Sequence, residues 1–336
     1  MAPLPPKSKR GFWRSQAFRA RLYQGLAIIG VAALVWFLAR NTLHNMQLRG
    51  IQSGFDFLAD PAGFDIGESL FPFDSGQSYW LAFGVGLSNT LRVALLGIVL
   101  TTLLGTLLGV GRFSRNALVR GVCYAYVEMF RNVPVLLQLL MWYLLFTEAL
   151  PATTEAWTLG PMFLSKGGLS FPIPVWSSDG MPFAFDFPVK GEFAIEHGGS
   201  LTPEFLTVLL GLTAYTAAFV AEVVRAGIQS VDRGQREAAV ALGLSPSQSM
   251  RLVMLPQALR VIIPPLTNQF LNLTKNSSLA VAVGYPDVVS IANTALNQTG
   301  RAVECLAIVM AVYLCTSLAT AWLMHRYNRR SAIKER

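Results

Sequence analysis

Residues 22–39 carry no charged side chain, and further long, mostly apolar runs follow at 80–111, 121–150, 204–229, 261–284 and 302–325. Each is long enough to cross a hydrocarbon layer of about 30 Å, for which about 20 helical residues suffice. Inside that layer every backbone N–H and C=O must be satisfied within the protein, so helices are the expected solution. The expected fold is therefore an all-α polytopic membrane protein with six spans. Composition agrees: 53% of the 336 residues are hydrophobic, 14% are charged and the mean hydropathy is +0.45. A soluble enzyme is excluded.

Basic residues set the orientation. Lys7, Lys9, Arg10, Arg14, Arg19 and Arg21 precede the first run with no acid among them, which makes 1–21 a basic cytoplasmic N-terminus and 22–39 an uncleaved anchor helix. Residues 40–79 hold Asp56, Asp60, Asp65, Glu68 and Asp74 against only Arg40 and Arg49, as expected of a periplasmic segment. Arg112, Arg115 and Arg120 mark the return to the cytoplasm, and Arg326, Arg329, Arg330 and Lys334 mark a cytoplasmic tail at 326–336. Between them, 151–203 carries Lys166 and Lys190 against Glu155, Asp179, Asp186, Glu192 and Glu196. That stretch is too long for a simple connection and reads as a folded periplasmic insertion, which either docks a partner or covers helix ends. The net charge of +8 thus belongs to membrane flanks, with lipid as the neighbour, and nucleic acid binding is disfavoured.

No catalytic or metal constellation is present in the sequence. Cys123, Cys305 and Cys315 stand alone in apolar runs, and His44, His197 and His325 lack ligand spacing, so neither a metal nor any cofactor is expected. Nor does the chain contain the Gly-x-x-x-x-Gly-Lys-[Ser/Thr] phosphate loop. ATP hydrolysis would need a separate subunit.

The most informative polar stretch is 230–257, between two apolar runs. Asp232 is a candidate N-cap with Gln235 three residues on, and the Ala-rich helix that follows stops at Gly243, a residue suited to the left-handed C′ position. Ser245-Pro246-Ser247-Gln248 then supplies an N-cap, a first-position proline and a capping-box Gln for a second helix. A helix, a tight turn and a helix, with small Ala side chains, make a knob for a socket. Glu237-Ala238-Ala239, then Gly243, then Val253, Leu255 and Pro256, is similar in order and spacing to the EAA loop of ABC-importer permeases. In that family the loop docks into a cleft of the ATP-binding subunit, which makes Glu237, Ala238, Ala239, Gly243, Leu255 and Pro256 the ATPase-coupling candidates.

The membrane runs carry polar residues of their own. Glu128 and Arg131 lie three apart on one helical face and are able to pair, Pro134 removes a backbone donor, and Gln138 interrupts an apolar turn. They either hold helix ends together or touch the substrate path. Gly105 and Gly109 form a small-xxx-small pair for close helix packing. Glu222 is a buried-acid candidate near the inner third of the fourth run. In the fifth run Pro264 and Pro265 are expected to break the helix early, and Asn268, Asn272, Lys275, Asn276 and Ser277 occupy its middle. The first four fall on one face, which must meet a partner helix or a wet cavity. For Lys275 two partners suggest themselves, Glu222 or a substrate carboxylate.

The resemblance covers roughly 83–325 and implies the type I ABC-importer transmembrane domain, about five core helices to which residues 22–39 add one more. Phe130-Arg131 with Pro134, Ala214-Tyr215 with Glu222, Leu255-Pro256-Gln257-Ala258, and Asn268 with Lys275, Ser277, Ser278 and Leu279 are similar to the polar amino acid branch. Val133 stands where that branch commonly has a small polar residue. The first helix and the long insertion resemble the Q-type permease of bacterial general L-amino acid transporters. The resemblance implies a multi-pass inner-membrane permease. Its implied partners are an ATP-binding cassette ATPase, a second, non-identical permease, a periplasmic substrate-binding protein and an amino acid substrate. The competing class is an ion-coupled secondary amino acid transporter, which also places broken helices and charges at mid-membrane. Such a carrier needs no docking loop and commonly shows an internal repeat, which this chain lacks.

Overall fold

The computed structural model describes residues 16–48, 50, 53–175, 184–192 and 194–331. Of the basic N-terminus, Lys7, Lys9, Arg10 and Arg14 lie outside the described residues, as do 176–183 of the insertion and the last five residues of the tail. The chain divides into two units, 1–55 and 56–336. The first holds α1 (Gln16–Leu48), whose most apolar stretch is exposed throughout. Its apolar surface runs all the way round.

The second unit begins with a short 3₁₀ turn, Asp56–Ala59, and then α2 (Tyr79–Gly111). Next come α3 (Ala117–Asn132) and α4 (Val135–Leu144), which meet at 106° when α4 is taken to Ala149. The run 121–150 is therefore a bent pair. Pro134 is the physical cause: its ring disfavours helical geometry at Val133, which is extended at φ −106°, ψ 131°.

The insertion is a β unit, an element absent from the sequence expectation. Strands β1 (Trp157–Leu159), β2 (Met162–Ser165), β3 (Gly168–Phe171) and β8 (Gly199–Leu201) form one antiparallel sheet in that order. β4 (Ile173–Val175) pairs with β5 (Ala184–Asp186), and β6 (Val189–Lys190) with β7 (Ile195–Glu196). The strands are two to four residues long with no sustained alternation, too short to announce themselves by periodicity.

α5 (Pro203–Gln229) is the hub. Thr202 caps it by accepting from the Phe205 N–H, and α2, α3, α4 and α8 all pack on it. α2 and α5 run parallel, and a Cβ added at Gly105 would lie 2.6 Å from Val220 Cβ and one at Gly109 2.7 Å from the Ala221 carbonyl oxygen. Glycine at both places is what lets the backbones approach, as the small-residue pair predicts.

After α6 (Arg233–Ala241) and the one-turn α7 (Pro246–Ser249), α8 (Leu255–Asn276) runs straight through Pro264 and Pro265. The early break expected there does not occur. Ile262, Ile263, Phe270 and Leu273 are buried on either side of the prolines, so packing holds the helix where two backbone donors are missing. A 3₁₀ turn, Ser277–Val283, ends at Gly284 with φ +79°, and α9 (Val288–Thr299) and α10 (Ala302–Ser331) complete the chain. Among the described residues four helices are long and apolar enough to span by themselves, and up to six spans result if each bent pair counts as one.

Candidate functional site

The polar loop forms the helix–turn–helix that its caps predict. The Asp232 carboxylate accepts from Gly234 N–H at 2.6 Å. The end of α6 closes with Gly243 N–H donating to the Val240 carbonyl (2.9 Å) and Leu244 N–H to the Ala239 carbonyl (3.1 Å), Gly243 standing at φ +74°. The Gln248 N–H donates to Ser245 Oγ, while Gln248 Oε1 accepts from the Ser245 N–H, which completes the second cap. Between α7 and α8 the helix widens to a π turn, Met250–Met254. Pro256 has no N–H for the Leu252 carbonyl, so the Leu255 N–H reaches back five residues to the Met250 carbonyl. Glu237, Ala238, Gly243, Leu255 and Pro256 are exposed, whereas Ala239 is 2% exposed and seats α6 on the protein. Val240, Leu242 and Leu252 stand open beside them.

Glu128 and Arg131 make no ion pair: Asn132 donates to Glu128, and the Arg131 guanidinium lies over the Phe219 ring at 5.3 Å. Gln138 is 3% exposed and its Nε2 donates to the carbonyls of Phe130 (2.9 Å) and Val133 (2.8 Å). In a continuous helix the Phe130 carbonyl would take the N–H of residue 134, which proline lacks. The Gln138 amide replaces it and clasps the bend. The signal was present in the spacing from Pro134, but the bend itself had to be known first.

Glu222 does not meet Lys275. Arg112 Nη1 donates to Glu222 Oε2 at 2.6 Å, and Arg225 Nε donates to both carboxylate oxygens at 3.1 and 3.0 Å. Lys275 forms no ion pair among the described residues and is exposed on α8 with Asn268 and Asn272. Asn276 is half-buried, and Ser277 is buried with its hydroxyl donating to the Thr274 carbonyl at 2.7 Å. The uncovered polar stripe is thus Asn268, Asn272 and Lys275. Among the described residues no group of His, Cys, Asp or Glu has the arrangement to hold a metal ion.

Residues 66–332 match the family described as binding-protein-dependent transport system inner membrane component. The chain belongs to this family. It is accordingly a multi-pass protein of the inner membrane, and an ion-coupled carrier is set aside. The chain is 41% identical to the general L-amino acid transport system permease protein AapQ of Rhizobium johnstonii over 374 aligned positions, covering 95% of this chain and 94% of that protein. It is 35% identical to the glutamate/glutamine/aspartate/asparagine transport system permease protein BztB of Rhodobacter capsulatus, over the full length of both. A solved amino acid ABC transporter "with histidines" superposes with a TM-score of 0.54 at 27% identity, covering 75% of this chain and 95% of that one.

For this transport-system inner membrane component, the family match covers α2 to α10 and leaves α1 outside it. Sequence reasoning missed two ties in the matched region. Arg112 served only as a topology marker, although it is the partner of Glu222. Glu68 counted only as an outer acid, yet its carboxylate meets Arg92 Nη1 at 2.6 Å and the Thr202 hydroxyl, and Asn89 Nδ2 donates to its backbone carbonyl. Burial holds the Glu68 carboxyl above its ordinary range, against the opposing pull of Thr202 and Arg92. The loop before α2 is thereby tied to the N-terminal half of α2 and the start of α5.

Proposed function

We infer that the chain is one permease subunit of an ATP-driven importer of L-amino acids. The carrying observation is the pairing of two uncovered features: an exposed, doubly capped α6–α7 loop and an exposed Asn268–Asn272–Lys275 stripe on α8. A folded loop with Val240, Leu242 and Leu252 in the open needs a partner surface, and the resemblance to the EAA loop makes that partner the ATPase subunit. A polar stripe on a membrane helix needs water or a second protein, and a non-identical companion permease facing it would enclose a wet path. The names of AapQ and BztB support amino acids as the cargo. Lys275 then takes the α-carboxylate that every amino acid carries, while Gln138 and Glu222 are structural.

In this reading both termini, the α6–α7 loop and the C-terminal end of α5 are cytoplasmic. The β unit is periplasmic, where a soluble receptor delivers substrate. Alternating access follows when two ATPase subunits close and move the loops. The decisive experiment reconstitutes the chain with its companion permease, ATPase and receptor in proteoliposomes and measures uptake of labelled L-glutamate and a labelled L-amino acid mixture. Uptake is expected only with both receptor and ATP. Uptake driven by an imposed proton or sodium gradient without ATP would overturn the reading.

A further inference from the structure

Gln235 was expected to complete a capping box with Asp232, but its side chain does something else. Gln257 Nε2 donates to Gln235 Oε1 at 3.2 Å, across 22 residues of sequence. Among the described residues this is the side-chain hydrogen bond that joins α6 to α8. The covalent route between those helices is longer. It passes the left-handed turn at Gly243, a four-residue helix, and the π turn before Pro256. α6 also packs against the π turn, which runs on into α8, so the amide bridge adds a polar tie to a packed contact. The amide bridge bypasses all three. It lands on the first turn of α8, next to the buried Ala258, on the same helix that carries Asn268, Asn272 and Lys275.

We propose that Gln257 is a positioning residue that locks α6 to α8, so that movement of the docked loop is delivered to the polar stripe as a rigid displacement. This rests on the reading of the α6–α7 loop as the ATPase dock. Neither glutamine touches substrate or nucleotide; the pair acts on the efficiency of transmission. A single net hydrogen bond corresponds to about a two- to tenfold change in an equilibrium.

The test uses the complete reconstituted importer with Gln257→Ala, Gln235→Ala, the double variant, and Gln235→Glu with Gln257→Lys. Three quantities are read: co-purification of the ATPase, receptor-stimulated ATP hydrolysis, and uptake of labelled L-glutamate per ATP hydrolysed. The expected result is normal co-purification with a two- to tenfold fall in uptake per ATP in either single variant. The double variant should be no worse, and the Glu/Lys pair should recover most of the loss. Unchanged uptake per ATP in Gln257→Ala, or additive losses in the double variant, would overturn the proposal while leaving the dock intact. Loss of co-purification in Gln257→Ala overturns it too, by making the residue part of the dock. If instead Gly243→Val leaves ATPase binding and coupling unaltered, the reading of the loop as the dock fails first, and the proposal with it.

Discussion

Arg112 and Glu222 join the C-terminal ends of the parallel helices α2 and α5, guanidinium Nη1 standing 2.6 Å from the carboxylate Oε2. Arg225 shares the same carboxylate, so one acid bridges two bases where both are mostly removed from solvent. Replacing the acid by Gln leaves two guanidinium groups facing each other. We expect Glu222→Gln to lower the stability of the detergent-solubilised protein by about 1–3 kcal/mol. Arg112→Gln should be milder, and a double-mutant cycle should return a coupling well above experimental error. Thermal unfolding measures both; additive effects would remove the pair as a structural tie.

Gly105 tests the helix packing beneath that pair. With Val220 Cβ and the Ala217 carbonyl 2.6 and 2.9 Å from the position of an added Cβ, Gly105→Ile must part α2 from α5. The expected loss is at least the 1–3 kcal/mol typical of overpacking, seen as a lower melting temperature or poor membrane yield. Gly84, where an added Cβ meets nothing within 4 Å, is the control: Gly84→Ala should change neither.

Gly243 isolates backbone strain from contact. Its φ is +74° and an added Cβ would meet nothing within 4 Å, so only the dihedral opposes substitution. Gly243→Val should strain the turn by about 1–2 kcal/mol and weaken ATPase co-purification, while Gly243→Asn, which tolerates this region, should bind nearly normally. Equal binding by both variants would detach the turn from docking.

Lys275 separates substrate recognition from structure. It has no ion-pair partner among the described residues, so Lys275→Met should keep the melting temperature, assembly and receptor-stimulated hydrolysis of the native importer. Uptake of labelled L-glutamate should fall about tenfold or more, as expected for a lost charged hydrogen bond. Full uptake would dismiss the carboxylate role.

Orientation is testable with two exposed positions in the segments before and after α5, a helix roughly 40 Å long at 1.5 Å per residue. In a background with Cys123, Cys305 and Cys315 replaced by Ala, Thr158→Cys in β1 should react with an impermeant maleimide in intact spheroplasts. Ser247→Cys in α7 should react only after permeabilisation. The opposite pattern inverts the topology.

Much of this protein is legible before folding because it is local. Bilayer-length apolar runs, the Asp232 and Ser245 caps, the glycine that ends α6 and the Gly105–Gly109 pair depend on neighbours a few residues away, and the structure reproduces them. Other features depend on which helices become neighbours. Glu222 had a plausible partner in Lys275 by burial alone, but the parallel packing of α2 on α5 brought Arg112 to it from 110 residues away. Gln138 read either as a tie between helix ends or as a pathway residue, and only the 106° bend placed an acceptor-rich helix end within its reach, while Gln235 read as a cap until α8 came alongside. The short strands of the insertion belong with these, since strands of two to four residues gain their hydrogen bonds only from each other. Helix length and capping are settled along the chain, whereas the partner of a long polar side chain is decided by the nearest group that folding supplies, and that is a property of tertiary structure alone.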